Sequence, residues 1–325
     1  MKYYVGVDGG GTKTAICAAA ADASVIFTEM TYSASWREYG VSKVIVNIKN
    51  VINEFTLEKN DSVAGIVMGM PCFGESEDGD NELKNAIHEV FPNMPVYVTN
   101  DVEAGWAGSL CLTPGVNVVT GTGAIAFGKN ESGETARSGG WSEFFGDEGS
   151  CYWVGRRTLQ LFSKQADGRI PKDELYEIVR KKFNLKNDFE IIDRIHGNYM
   201  SNRNKVATLQ FIARDAAIAG SPSVKSLYNE AIKELCDLVA AIRDRLQFKQ
   251  QPFPVSYSGG FYKAGDVVLP QFFAGIEALG GKPVTPKFEP MHGALLLAFQ
   301  QNYPEGLPKL LERLEKEKSQ VLQNT

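Results

Sequence analysis

Two short glycine turns of the same design constrain this chain more than any other feature. The first follows an apolar run, Tyr3 to Val7, and reads VDGGGTKTA; the second follows Val116 to Thr120 and reads VTGTGAIAF. Laying one on the other puts Gly9 on Gly121 and Gly11 on Gly123, a constant offset of 112 residues. In each, an apolar strand, a glycine elbow and a returning strand (Lys13 to Ala20, Ala124 to Gly128) predict a β-hairpin. Internal duplication is the economical reading. It implies two similar halves, and the length of 325 residues agrees, since a single core rarely grows that far. The 43% of hydrophobic residues is ample to fill two cores.

Around each elbow the periodicity changes. A third strand is expected near Val25 to Glu29, then a helix after Ser42 with Val44, Ile48 and Val51 on one face. The order then alternates: strand Val63 to Met68, helix Asn81 to Phe91, strand Pro95 to Thr99, helix after Asp101. Three antiparallel strands followed by strand–helix alternation read as an α/β sheet. Beyond the second elbow, helices are expected over Gly149 to Gln160, around Leu209 to Ala216 and over Val224 to Leu246. A strand at Phe253 to Tyr257, a helix near Asp266 to Leu279, one after Pro290 and a charged tail helix, Leu307 to Lys318, complete the chain.

Neither elbow matches GxxxxGK[ST], and neither opens the helix that a GxGxxG dinucleotide turn requires. What remains is a strand–glycine–strand turn whose backbone N–H groups converge on an anion. Two such turns facing each other would hold one polyphosphate. Asp8 at the end of the first strand would repel that phosphate unless a cation intervened, and Mg²⁺ suits carboxylate, water and phosphate oxygens. Thr12 and Thr122 offer hydroxyl donors, and Lys13 a positive charge. Each turn taken alone is as well explained by an ordinary hairpin.

Asp101 follows a strand whose carboxyl end is where open α/β sheets bind ligands, so it is a candidate to accept a proton. Its other reading is the cap of the helix that begins at Val102. The segment Gly139-Gly140-Trp141 through Asp147-Glu148-Gly149-Ser150 combines flexible backbone, an indole and carboxylates. That composition suits a hydroxylated ring, though a buried Trp and a capping Asp-Glu pair would look the same.

Several classes are excluded or disfavoured. The formal charge is −5 with no dense basic block, which argues against nucleic acid or an anionic bilayer as partner. No run of about 18 uninterrupted apolar residues occurs and the amino terminus lacks a signal-peptide pattern, so a cytoplasmic protein is expected. The five cysteines form no CxxC pair, and the three histidines have no helical spacing, which disfavours zinc.

DGGGTKT (Asp8 to Thr14), TNDVEAG (Thr99 to Gly105), GTGA (Gly121 to Ala124), GGWSEFFGDEGSCYWVG (Gly139 to Gly155), SGG (Ser258 to Gly260) and HGALLLA (His292 to Ala298) occur in this order. Their order resembles the BadF/BadG-type ATPase and N-acetylglucosamine kinase family of the actin/hexokinase/Hsp70 superfamily, over about residues 3 to 299. The resemblance implies an α/β fold of two ribonuclease-H-like (actin-like ATPase) lobes, each a mixed sheet flanked by helices, with a nucleotide cleft between them. The lobes are expected at 1–114 and 115–325, with the C-terminal helix able to pack back on the first.

It further implies ATP and Mg²⁺ as cofactors and an amino sugar (N-acetylglucosamine, glucosamine or N-acetylmuramic acid) phosphorylated on O6. Asp101 would be the base, with Asn100 orienting it and contacting substrate; Gly140, Trp141 and Asp147 would contact the sugar. Asp8 would hold the metal. Gly9, Gly10, Gly11, Thr12, Lys13, Gly121, Thr122 and Gly123 would hold the phosphates, and Gly259 and Gly260 the adenosine. A homodimer is expected.

The stretch Tyr32 to Glu38 lacks the Asn-His pair of several N-acetylglucosamine kinases, so Trp36 or Arg37 is expected to read a larger or anionic substituent. The alternative from the wider family is an ATPase that activates a partner enzyme through a cysteine-held iron–sulfur cluster. Cys111 and Cys151 lack the matching surroundings, which places that reading second.

Overall fold

Both expected hairpins form, and each grows into a sheet of the same design. In a computed structural model, which describes residues 1–55, 61–200 and 202–323, the first sheet is built from β1 (Lys2–Gly9), β2 (Lys13–Ala20), β3 (Ile26–Tyr32), β4 (Ser62–Met70) and β5 (Val96–Asn100). The strands lie in the order β3-β2-β1-β4-β5, with β1, β2 and β3 antiparallel and β4 and β5 parallel to β1. The second sheet comprises β6 (Gly115–Thr120), β7 (Ala124–Lys129), β8 (Thr135–Gly139), β9 (Phe253–Ser258) and β10 (Gly281–Val284). Read from its β8 edge, the order β8-β7-β6-β9-β10 repeats that of the first sheet, again with three antiparallel strands followed by two parallel ones. The 112-residue offset is therefore the trace of a whole repeated sheet.

Each sheet has its own core. In the first, β1 and β2 are buried on both faces, which explains their near-continuous apolar runs. Ile45, Ile48 and Ile52 of the helix Val41–Phe55 pack there with Val5, Val7, Ile16, Ile66 and Met68. In the second, Val116, Val118, Ala126 and Val255 meet Leu227, Ala231, Leu235, Val239 and Ile242 of the long helix Pro222–Leu246. That helix starts with Ser221 accepting from Val224 N and with Pro222 in its first turn, where a missing N–H costs nothing.

The chain divides into two compact units, Met1–Thr113 with Pro286–Thr325, and Pro114–Thr285. Residues 286–325, grouped by sequence with the second lobe, belong instead to the first. The helix Pro290–Asn302 is apolar on all sides and buries Ala294 to Phe299, so it needs cover all round. Its backbone lies so close to the helix Asp101–Leu110 that a Cβ on Gly293 would sit 1.9 Å from Ala104 O and 2.3 Å from Gly108 N.

Strands β8 and β10 were not legible in the sequence. The segment TARSG is polar and partly exposed, and GKPV carries a proline that only an edge position tolerates. Helices Glu174–Phe183, Glu190–Asn198 and Arg203–Thr208 also escaped notice, the middle one because it buries no residue at all. No helix among the described residues is long and apolar enough to cross a membrane.

Candidate functional site

In the first unit the candidate residues gather at the carboxyl ends of β1, β4 and β5. Gly9 pairs with Thr14 to end the hairpin, and Gly10 N donates to Lys13 O at 3.0 Å. The carbonyls of Gly10 and Gly11 are drawn inward, the first by Ala34 N (3.0 Å) and the second by Ser33 Oγ (2.9 Å). In a trans peptide the N–H points opposite to the C=O, so the amides of Gly11 and Thr12 point outward from an exposed tip. Two adjacent outward amides make an anion cradle.

Asp8 lies partly buried beside this tip. Burial, reinforced by the charges of Asp101 and Glu289 and opposed by Lys13, pushes its carboxyl up from 3.8 to about 7. A concentration of carboxylate charge of this kind favours a cation. Among the described residues no group of three or more His, Cys, Asp or Glu side chains forms a metal cage.

Asp101 is brought to Asp8 by register. Asp8 aligns with Gly69 on β4, Gly69 with Thr99 on β5, and Asp101 follows Asn100 as the first residue of its helix. Gly69 permits the approach, because a Cβ there would lie 3.3 Å from Asp101 Cα and 2.9 Å from Ala104 Cβ. The helix cap is Asn100, whose Oδ1 accepts from Val102 N at 3.2 Å and whose Nδ2 donates to Phe73 O at 2.7 Å. Asn100, expected to touch substrate, serves as the cap and as a tie to Phe73. Glu103 accepts from Thr99 Oγ1 within the first helical turn.

Trp36 is a correction. Only 3% exposed, it packs in the first core, donates Nε1–H to Pro71 O at 2.8 Å and covers Gly79. A large indole beside an apolar helix gains more from burial than from a wet sugar. Arg37 lies over its ring, 5.2 Å from the centroid, and pairs with Glu75 at 3.3 Å.

In the second unit four segments converge on the other elbow. Gly121 N donates to Gly123 O and Gly121 O accepts from Cys151 N, both at 2.9 Å, which seats the turn on the first residue of helix Cys151–Ala166. Ser150 caps that helix by accepting from Trp153 N. The Ser258–Gly260 turn presses from the side: a Cβ on Gly259 would fall 2.3 Å from Thr120 O. Gly260 is held by Gln210 Nε2, which donates to its carbonyl at 3.1 Å, and Phe261 is wholly core.

Asp147 is buried (4% exposed) at positive φ, and its Oδ1 accepts from Ala124 N at 3.1 Å while Oδ2 meets Arg203 at 2.9 Å. Burial raises its carboxyl above 3.8 despite the Ala124 amide and Arg203. Expected to contact sugar, it is instead turned onto the elbow, where Gly123 leaves the room. Gly140 is likewise spent on structure, its N–H on Ala124 O and its carbonyl on Arg137, both at 2.8 Å. Thr122, expected on a phosphate, donates to Asn204 Oδ1 at 2.8 Å. Trp141 stands out at 69% exposed, with Phe144 and Phe145 beside it in the same loop at 89% and 68%.

Sequence reasoning missed Gly69, Glu289, Ser33, Arg203, Asn204 and Gln210. Gln210 and Gly69 lie in or beside elements whose apolar pattern was read, but the contact that brings each of these residues to the site is made by another segment. The thiol of Cys151 is buried, and burial pushes it up to about 12.

The model of the BadF/BadG/BcrA/BcrD ATPase family matches residues 5–298. A Clostridium acetobutylicum N-acetylmuramic acid/N-acetylglucosamine kinase is 26% identical over 306 residues, covering 92% of this chain and 98% of its own. A Dictyostelium discoideum N-acetyl-D-glucosamine kinase is 29% identical over 273 residues, covering 79% and 84%. Among solved structures, one from Chromobacterium violaceum described as a candidate N-acetylglucosamine kinase superposes with a TM-score of 0.71 at 24% identity, covering 92% of this chain and 99% of its own. A ROK family glucokinase from Streptomyces griseus superposes at 0.54 and 16% identity, covering 92% and 99%. These likenesses show the fold alone, two mixed five-stranded sheets flanked by helices as in those solved structures.

Proposed function

The chain belongs to the BadF/BadG/BcrA/BcrD ATPase family, and from that membership we propose that it is an ATP-dependent kinase that phosphorylates an amino sugar on O6. N-acetylglucosamine, glucosamine and N-acetylmuramic acid are the substrates in view, two of them named for its relatives. The observation that carries the reading is the placement of Asp101. It stands at the carboxyl end of β5, as the first residue of the helix that Asn100 caps, and close enough to Asp8 to raise its carboxyl.

Phosphoryl transfer asks a protein mainly for positioning and charge stabilisation. In the first unit, the outward amides of Gly11 and Thr12 and the charge of Lys13 would hold phosphate oxygens, and Asp8 would hold Mg²⁺. When bound, that ion neutralises phosphate charge. Asp101 accepts the proton of the sugar hydroxyl as its oxygen attacks the terminal phosphorus, and ADP leaves with the bridging oxygen. In the second unit, the elbow Gly121–Gly123 and the Ser258–Gly260 turn are assigned to the nucleotide, and Trp141 to the apolar face of the sugar ring. Asp147 serves to hold the elbow. The protein acts in the cytoplasm on small molecules, as a homodimer.

ADP release measured with glucosamine, N-acetylglucosamine, N-acetylmuramic acid, glucose and no sugar tests the reading. Release on amino sugars well above the sugar-free rate is expected; equal release with and without every sugar refutes it. Asp101→Asn should lower kcat by about 10²–10⁴, the range for a lost general base, with the KM for ATP close to wild type. Substantial retained turnover would return Asp101 to a structural role.

A further inference from the structure

Arg203 opens the short helix Arg203–Thr208, which Asn202 caps by accepting from Lys205 N. From this position its guanidinium holds two carboxylates of the same loop at once. Nη2 lies 2.9 Å from Asp147 Oδ2, and Nη1 lies 3.0 Å from Glu143 Oε2. Through Asp147 it reaches Ala124 N at the end of the second glycine elbow; the next residue, Asn204, takes the Thr122 hydroxyl in the middle of that elbow. Through Glu143 it reaches the exposed part of the loop, between Trp141 and the two bare rings of Phe144 and Phe145.

We propose that Arg203 is a positioning residue that links the aromatic loop 139–147 to the second glycine elbow, so that nucleotide at the elbow orders the loop assigned to the sugar. The inference rests on the kinase reading and adds to it a route by which one substrate prepares the site for the other within one unit. The chemistry of the side chain supports it. A guanidinium presents five N–H donors in a rigid fork and can grip two carboxylates simultaneously, which a point-charge ammonium does less well.

The two arms differ in character. Asp147 is 4% exposed and Glu143 33%, with the Arg203 side chain itself 41% exposed, so the Asp147 arm is the better shielded charge-assisted bond and the Glu143 arm the weaker one. The loop itself is folded into a compact turn. Gly146 folds back on Trp141, with a Cβ there only 2.9 Å from Trp141 Cβ, while Gly139, Gly140, Ser142 and Asp147 all take positive φ and set its bends. Glu143 is thus the handle by which Arg203 holds an otherwise exposed turn.

The test uses the full-length protein with Mg²⁺ and the non-hydrolysable analogue AMPPNP, without sugar, and reads the emission of Trp141 by difference against Trp141→Phe. Nucleotide should shift that emission in the wild type. Glu143→Gln cuts only the loop arm: it should abolish the shift, keep the ATP KM within about twofold and raise the sugar KM about two- to fivefold, the worth of a half-exposed ion pair. Arg203→Met should raise the ATP KM about tenfold, the effect of losing one charge-assisted hydrogen bond. Adding Glu143→Gln to Arg203→Met should then change nothing more. A Glu143→Gln protein that keeps the emission shift and the sugar KM, or whose effects add in full to those of Arg203→Met, overturns the proposal. If the wild type itself fails to bind the analogue or to phosphorylate any amino sugar, the kinase reading falls and this inference with it.

Discussion

Gly259→Ala isolates one contact on which the second unit depends. The residue has φ +107, a region that L side chains rarely adopt, and a Cβ would lie 2.3 Å from Thr120 O, 2.5 Å from Thr120 C and 3.0 Å from Gly121 N. All three are backbone atoms of the elbow, so no side chain can swing aside. Left-handed backbone costs an alanine about 1–2 kcal/mol, and overpacking adds about 1–3 kcal/mol. Together the substitution should cost about 2–5 kcal/mol, equivalent to a loss of about 5–15 °C in the melting temperature of a unit of this size. Restoring an ordinary C···O contact of about 3.3 Å moves the Ser258–Gly260 turn by about 1 Å, and displacement on that scale should raise the ATP KM about a hundredfold. Gly260→Ala is the internal control. Its φ of −69 is helical, and its Cβ would meet Cys151 Sγ at an ordinary 3.4 Å, so its melting temperature should stay near wild type. Scanning fluorimetry with and without ATP, together with initial rates, measures both. If the two variants melt and bind alike, the close approach of turn and elbow is not what holds this site.

Other outcomes follow from the same geometry. Asp8→Asn should raise the Mg²⁺ concentration for half-maximal activity by about tenfold or more while leaving the sugar KM in place, read from magnesium titrations of initial rate. Gly293→Ala should be among the most damaging substitutions in the first unit, because its Cβ would fall 1.9 Å from Ala104 O; a melting temperature within about 2 °C of wild type would contradict the helix packing. Asp173 gives a pH test. Burial opposes its ionisation, yet hydrogen bonds from Ser223, Gln165 and Ser221 outweigh it and hold its carboxyl below 3.8. Because the folded value lies below the unfolded one, its stabilisation is present above the ordinary carboxylate range and lost as pH falls through the folded value. Asp173→Asn should therefore lower the unfolding free energy at pH 7, read by urea denaturation, by about 1–3 kcal/mol for a cap and its donors. It should also lose less stability than wild type between pH 5 and pH 2.5; equal slopes would refute the assignment.

What the sequence determined by itself was local and periodic. The alternation of apolar runs, the glycine elbows and their constant offset marked both hairpins, the α/β class and the repeated design, because a strand must hide its faces and a tight turn must shed its side chains wherever it occurs. Asp8, Asp101 and the Gly9–Lys13 tip were legible for the same reason: each sits at a strand end that the pattern already located. Only the tertiary structure decided what depends on one segment crossing another. It moved residues 286–325 to the first unit, since an all-apolar helix goes wherever its whole circumference can be covered. It gave the cap to Asn100, buried Trp36, turned Asp147 and Gly140 inward, and brought Arg203 and Asn204 from an unpatterned stretch onto the second elbow. Hydrogen-bond partners far apart in the chain leave no period in the sequence, because their meeting is set by packing that neither segment encodes alone.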